Sequence, residues 1–231
     1  MTDNGLYFDF GKQLDIADPR IILTSLEAGD IRDSQESRDR ITEELGISPG
    51  KFSLAVQCHS RRVISADDPA CPSVCRYDGL YTVTDRAVAV TVADCMPVYL
   101  FAPGRRICSV LHSGWKGTGI LSAAVEIFRN VYKIRPEEMH AVFGPGIRSC
   151  CYRVDRHRAM LFALLWGNDS VIRSGDSFFL DLAAANRRIA EQAGIGRIYD
   201  TGLCTCCDDR FGSFRRQGPS FTKMAAISGY F

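Results

Sequence analysis

Histidine is scarce in this chain, with four among 231 residues. Chemistry that needs a crowd of imidazoles, such as a cluster of several copper ions, is short of ligands from the outset. Long apolar runs are missing too. None approaches the ~20 residues of a membrane-spanning helix. The opening Met-Thr-Asp-Asn-Gly-Leu-Tyr-Phe-Asp-Phe has neither the basic region nor the apolar core of a secretory signal. Net charge is only +1, which leaves no bulk electrostatic pull toward nucleic acid or a membrane surface. Cysteine is present ten times, but at about 4% of the chain it falls well short of a disulfide scaffold. The expectation is a cytoplasmic protein with reduced thiols, its cysteines acting as core residues, ligands or nucleophiles. Oligomeric state is not encoded in any pattern of the chain.

What is present suits a globular core: 46% hydrophobic and 24% charged residues, in a length that fits one domain spanning 1–231. Local patterns alternate between the two regular structures. Leu6 to Phe10, Ile21 to Thr24, Phe52 to Val56, Leu80 to Thr84, Ala87 to Val92, Met139 to Phe143, Gly196 to Tyr199 and Met224 to Ile227 read as strands. Val98 to Phe101 and Ile107 to Leu111 flank Pro103-Gly104 as a hairpin. Asp33 to Leu45 reads as a surface helix capped by Asp33 or Ser34. Leu121, Ala124, Val125, Phe128 and Tyr132 follow helical spacing, and Asp155 and Asp181 cap two more helices stopped by Gly167 and Gly194.

Three reactive side chains stand at predicted strand ends. His59 follows the strand from Phe52, Cys95 follows the strand Ala87 to Val92, and His112 ends the second arm of the hairpin. Two imidazoles and one thiolate make a three-ligand zinc set with a position left for water. Their wide spacing is no local metal signature, so on spacing alone a buried thiol beside hydrogen-bonded histidines is the simpler reading. His112 opens a glycine-rich elbow, His112-Ser113-Gly114-Trp115-Lys116-Gly117-Thr118-Gly119, that runs into a helix. Free N–H groups at a helix N-terminus favour anions, and Lys116, Gly117 and Thr118 could contribute to a phosphate site. An ordinary strand–helix connection explains the glycines as well. His140, entering a strand, and His157, between Arg156 and Arg158 on a helix, read as structural.

Taken together, these stretches resemble the YfiH-type family, long labelled multicopper polyphenol oxidase or laccase-like and understood as purine nucleoside phosphorylases. The matching stretches are Gln57-Cys58-His59-Ser60 for the family's Gln-Val-His-Gly, Ala93-Asp94-Cys95-Met96-Pro97-Val98, and His112-Ser113-Gly114-Trp115-Lys116-Gly117-Thr118. Gly144-Pro145-Gly146-Ile147, Cys151-Tyr152-Arg153-Val154, Cys204-Thr205 and Phe214-Arg215-Arg216-Gln217-Gly218 follow in order. The agreement runs from about residue 52 to the end. The resemblance implies an α+β fold, a single compact domain with a mixed β-sheet flanked by helices. It implies a zinc held by His59, Cys95 and His112, and phosphorolysis of adenosine, inosine and methylthioadenosine to free base and a ribose 1-phosphate, with some adenosine deamination. The chain departs from the family in four places. The region before residue 52 lacks a Gly-Gly-x-Ser loop. Ser37-Arg38 stands for Asn-Arg, which makes Arg38 a candidate substrate or phosphate contact. Asp78-Gly79-Leu80 stands for Asp-Ala-Leu, and Thr222-Lys223 for Gly-Arg.

Other chemistries compete for the same residues. A cysteine hydrolase or amidase would use Cys95 as nucleophile and His59 or His112 as base, on peptide-like or peptidoglycan-precursor substrates. A copper oxidase of phenols is disfavoured by the histidine count. A non-enzymatic module would hold metal for folding alone. Separately, Cys204-Thr205-Cys206-Cys207 and the pair Cys71 and Cys75 could make a four-thiolate site, though their spacing is irregular for zinc modules and buried thiols are the simpler reading.

Overall fold

A computed structural model describes residues 5–68 and 76–231. Cys71 and Cys75 lie outside the described residues. The strands in chain order are β1 (Tyr7–Asp9), β2 (Arg20–Thr24), β3 (Phe52–Leu54), β4 (Val63–Ser65), β5 (Gly79–Thr82), β6 (Ala87–Val92) and β7 (Met96–Ala102). They continue as β8 (Arg105–Ser113), β9 (His140–Phe143), β10 (Arg153–Val154), β11 (Val171–Ser174), β12 (Ser177–Leu180), β13 (Arg197–Asp200) and β14 (Met224–Gly229). The helices are α1 (Phe10–Gln13), α2 (Gln35–Glu44), α3 (Ile120–Asn130), α4 (Arg156–Trp166), α5 (Leu182–Ala193) and α6 (Phe214–Gln217).

These form an α+β fold built on two mixed sheets, one ordered β1-β2-β14-β6-β3 and the other β13-β9-β7-β8-β5-β4. Period-2 alternation explains how they stack. Along β7, Tyr99 and Phe101 face the first sheet, where they meet Ile21, Leu23, Val88, Val90 and Ala226. Met96, Val98 and Leu100 point the other way, onto Leu121, Ala124 and Phe128 of α3 and Leu182, Ala185 and Ile189 of α5. The outer face of the first sheet, through Ile22, Ala89 and Ile227, is covered by Ile41 of α2 and by Leu45. The order is therefore helix, sheet, sheet, helices. β7 is buried along its whole length, as a strand covered on both faces must be. The buried Tyr99 hydroxyl donates to the Ile22 carbonyl at 2.7 Å and ties one sheet to the other.

Local chemistry explains most boundaries. Ser34 caps α2 by accepting from the Ser37 N–H, Asp155 caps α4 and Asp181 caps α5, while Gly194 ends α5 in the left-handed region. The hairpin forms as expected, with Pro97 opposite His112 and Val98 opposite Leu111. Some elements differ from the sequence expectation. Asp9 accepts from the Lys12 N–H, so the first strand stops at Asp9 and a short helix takes over. A third sheet, β10-β12-β11, arises around the exposed turn between Ser174 and Ser177, where the pattern had shown no strand. No helix among the described residues is long and apolar enough to cross a membrane.

Replacing Tyr99 with Phe leaves the ring and removes the bond between the sheets. The expected loss is about 1–2 kcal/mol, read as a lower urea midpoint at unchanged slope. An unchanged midpoint would show that the two sheets do not depend on that hydroxyl.

Candidate functional site

The hairpin register assembles the centre. Met96 pairs with Ser113 and Pro97 with His112, so Cys95, just before β7, comes level with the end of β8. His59 arrives from the loop after β3. Its backbone is in the left-handed region (φ 62°), which turns the ring toward the other two. The ligand atoms of His59, Cys95 and His112 all lie within 4.8 Å of one another. The two imidazoles meet edge to face with centroids 5.0 Å apart. Gly114 clears room for the sulfur, since a Cβ there would stand 2.5 Å from Cys95 Sγ.

Asp78, at the start of β5 and fully buried, holds this arrangement. One oxygen accepts from the His59 N–H at 2.9 Å and meets His112 Nδ1 at 2.9 Å. The other accepts from the N–H groups of Cys58 (3.1 Å) and Ser60 (2.7 Å) and from the Ser60 hydroxyl (2.8 Å). With Nδ1 of His112 committed to Asp78, Nε2 is the nitrogen left for the centre. Gln57 anchors the same loop from its other side. Its amide donates to the Thr91 carbonyl at 2.8 Å and accepts from the Thr91 N–H (2.8 Å) and hydroxyl (2.7 Å).

Charge follows from this geometry. Burial alone would raise the Asp78 pKa, but His112 and the Ser60 and Cys58 donors hold it well below the usual carboxylate range. Burial opposes ionisation of Cys95 as well, yet the His112 and His59 imidazoles bring it down to about 6. Burial opposes protonation of His112, and Cys95 and Asp78 together raise it to about 9. Without a cation, the centre at neutral pH is therefore a thiolate beside an imidazolium. One thiolate and two imidazole nitrogens at this spacing are a donor set that can hold a metal ion in place of the imidazolium proton.

The centre opens into a cavity of about 530 Å³. Among the described residues its wall carries Arg32, Lys116, Arg158, Arg215 and Lys223 against the carboxylate of Asp94. Trp115, Tyr152, Phe214 and Phe221 supply the rings. Asp94 is held on both oxygens, by the Thr205 hydroxyl at 2.8 Å and by the Arg215 N–H at 2.7 Å. Arg158 lies 4.7 Å and Lys116 5.5 Å from the Trp115 ring centre. Arg215 spends its guanidinium on the Cys151 and Arg153 carbonyls, which fixes the wall more than it offers charge to a ligand. Lys116 forms no ion pair among the described residues and faces the cavity.

The elbow expectation holds only in part. Thr118 is buried, with its hydroxyl turned back onto the Gly114 carbonyl at 2.8 Å, and Gly117 packs against the His112 carbonyl; neither lines the cavity. Gly119, at the entry to α3, abuts Trp166 and Arg61, so the helix N-terminus is not part of the wall. Arg38 is likewise displaced from its expected role. Its guanidinium bonds the carbonyls of Ile31 (2.9 Å) and Arg32 (2.6 Å) and the Gln35 side chain, and it is Arg32 that reaches the cavity. Lys223 lines the cavity beside Asp30 and Asp33. Of the wall residues, Tyr152, Phe214 and Arg215 sit inside motifs visible in the sequence; Arg32 and Arg158 carry no local signal.

The family model described as "Multi-copper polyphenol oxidoreductase laccase" matches residues 24–229. The chain belongs to this family. A relative from Deinococcus radiodurans named purine nucleoside phosphorylase is 34% identical over 203 residues, covering 87% of this chain and 78% of the relative. Purine nucleoside phosphorylase YlmD of Geobacillus stearothermophilus is 32% identical over 228 residues, covering 88% and 81%. The chain also matches 47% of the length of mouse purine nucleoside phosphorylase LACC1, at 32% identity over 84% of this chain. Among solved structures, YfiH of Bacillus licheniformis superposes with a TM-score of 0.87 at 25% identity, over 99% of this chain and 98% of that one.

In chelator-treated protein, alkylation of Cys95 should rise with pH to half its maximal rate near pH 6. Below that pH the thiolate reprotonates and the rate falls. Peptide mass spectrometry resolves Cys95 from the other cysteines. Asp78→Asn withdraws support from the His112 imidazolium and should move this midpoint upward. A midpoint at the ordinary thiol value, about 8.5, in the unmodified chain would contradict the thiolate–imidazolium pair.

Proposed function

We propose that the protein is a zinc-dependent purine nucleoside phosphorylase. It would cleave adenosine, inosine or methylthioadenosine with phosphate, giving the free base and a ribose 1-phosphate. The observation that carries this reading is the union of two chemistries in one cavity: a thiolate–imidazole donor set in a wall that is otherwise cationic and aromatic. The names of the relatives from Deinococcus and Geobacillus support it.

The donor set fits zinc. Thiolate and imidazole suit this ion, and Asp78 behind His112 supplies the outer-shell carboxylate that orients such ligands. His59, Cys95 and His112 would hold it, and the bound ion would supply a Lewis acid at the edge of the nucleoside site. The remaining work falls to the chain. Lys116, Arg32 and Arg158 offer positive charge to the phosphate, bringing an anionic reactant to a neutral nucleoside. Tyr152, Phe214 and Phe221 provide faces on which a purine can stack. Burial pushes the Tyr152 pKa up, so its hydroxyl remains a proton-bearing donor. Asp94, oriented by Thr205 and the Arg215 N–H, offers a fixed acceptor for sugar hydroxyls.

Other readings use the same atoms less well. A multicopper oxidase needs several imidazole-rich sites, yet His140 packs beside Phe101 and Tyr199 and His157 lies on α4, leaving two imidazoles at the centre. A Cys95 nucleophile would stay active with chelator present, whereas a metal-ligating Cys95 would not.

Purified protein supplied with inosine and phosphate should release hypoxanthine and ribose 1-phosphate. Cys95→Ser, which removes one ligand, should lower kcat/KM by at least ~100-fold. Lys116→Ala should act chiefly through a higher KM for phosphate. Adenosine without phosphate reports deamination in the same assay. Absence of ribose 1-phosphate from zinc-loaded protein would overturn the proposal, and full phosphorolysis in chelator would overturn its zinc dependence.

A further inference from the structure

A second group of thiols lies outside the cavity. The parallel strands β9 and β13 deliver their following loops side by side. Gly146 bridges to Cys204, and the Thr205 N–H donates to the Gly146 carbonyl at 3.2 Å. Arg148 crosses the same seam to the Leu203 carbonyl and the Asp200 carboxylate. At the tip of this seam the sulfurs of Cys150, Cys151, Cys204 and Cys207 all fall within 4.8 Å of one another. Cys150 Sγ is 3.7 Å and Cys151 Sγ 3.3 Å from Cys207 Sγ. Among the described residues the Cys204 turn meets Cys150 and Cys151; Cys71 and Cys75, weighed from the sequence as its partners against the simpler reading of buried thiols, lie outside the described residues.

We propose that these four cysteines form a second metal site, a tetrathiolate that takes zinc and clamps the two loops together. The spacing supports it. Four thiolates around zinc at about 2.3 Å stand about 3.8 Å apart, close to the separations present. Cys204 and Cys207 form a Cys-x-x-Cys turn, a ligand spacing that structural zinc sites use. The Arg148 N–H donates to the Cys204 sulfur at 3.5 Å, an outer contact of the kind that orients a metal ligand. Cys150 and Cys207 are exposed, which gives the ion a path in. Binding replaces the S–H protons, which pass to solvent, and involves no redox change.

The position gives the site a task. Tyr152 of the cavity wall directly follows Cys151, and Arg215 is fixed by the Cys151 carbonyl. Arg216 bonds the Thr205 and Cys206 carbonyls, and Thr205 orients Asp94. A metal here would hold that wall in place while touching no reactant.

The test is metal content and spectroscopy on full-length protein purified without oxygen. It uses the Cys95→Ser background, so that the central site does not contribute. That protein should retain about one zinc per chain, lost in the further variant Cys150→Ser/Cys207→Ser. Loaded with cobalt instead, it should show the sulfur-to-cobalt charge-transfer and red-region bands of a tetrahedral tetrathiolate. The cobalt measurement requires no folded cysteine variant at this second site. Equal zinc with and without Cys150 and Cys207, an absent thiolate–cobalt spectrum, or a disulfide among these cysteines in the anaerobic protein would each overturn the proposal.

Discussion

Everything about the candidate site depends on one buried carboxylate. Asp78 is fully enclosed, and an isolated charge there would be strongly disfavoured. It is tolerated because donors converge on both oxygens: three consecutive N–H groups of the loop from Cys58 to Ser60, the Ser60 hydroxyl and the His112 ring. The same bonds that offset its desolvation fix the His59 loop and the tautomer of His112. Site geometry and local stability are thus one network, and the left-handed backbone at His59 persists because Asp78 holds its N–H.

The two sheets supply the rigidity behind this network. β7 and β8 are packed on both faces, between the other sheet and the helices α3 and α5, so the hairpin end carrying Cys95 and His112 has little freedom. His59 comes from a largely exposed loop, and Gln57 and Asp78 compensate with side-chain bonds. The loops over the cavity are tied down by arginines spent on carbonyls, Arg215 on Cys151 and Arg153, and Arg216 on Thr205 and Cys206.

The legible parts of the sequence were those governed by local rules. The hairpin around Gly104 and the helices capped by Ser34, Asp155 and Asp181 follow from period and cap chemistry. His59, Cys95 and His112 could be proposed together because each ends a strand and each lies in a motif. The cavity wall was less legible. Whether Arg32 or Arg38 reaches the cavity depends on which guanidinium the turn around Ile31 captures, a tertiary outcome with no local signature. The glycines of the elbow looked like an anion cradle, but Gly114 serves the Cys95 sulfur, and Gly117 the close packing on the His112 carbonyl. The partner of the Cys204 turn was likewise set by the parallel pairing of β9 and β13, which no spacing rule reveals.

The Asp78-ordered trio is proposed to hold a zinc ion. X-ray diffraction measured on either side of the zinc absorption edge tests it most directly. The account predicts an anomalous peak bounded by His59, Cys95 and His112, with metal–nitrogen distances of about 2.0–2.1 Å and a metal–sulfur distance of about 2.3 Å. Crystals of zinc-loaded protein with no peak at that position, and with His112 still held by Asp78, would contradict it.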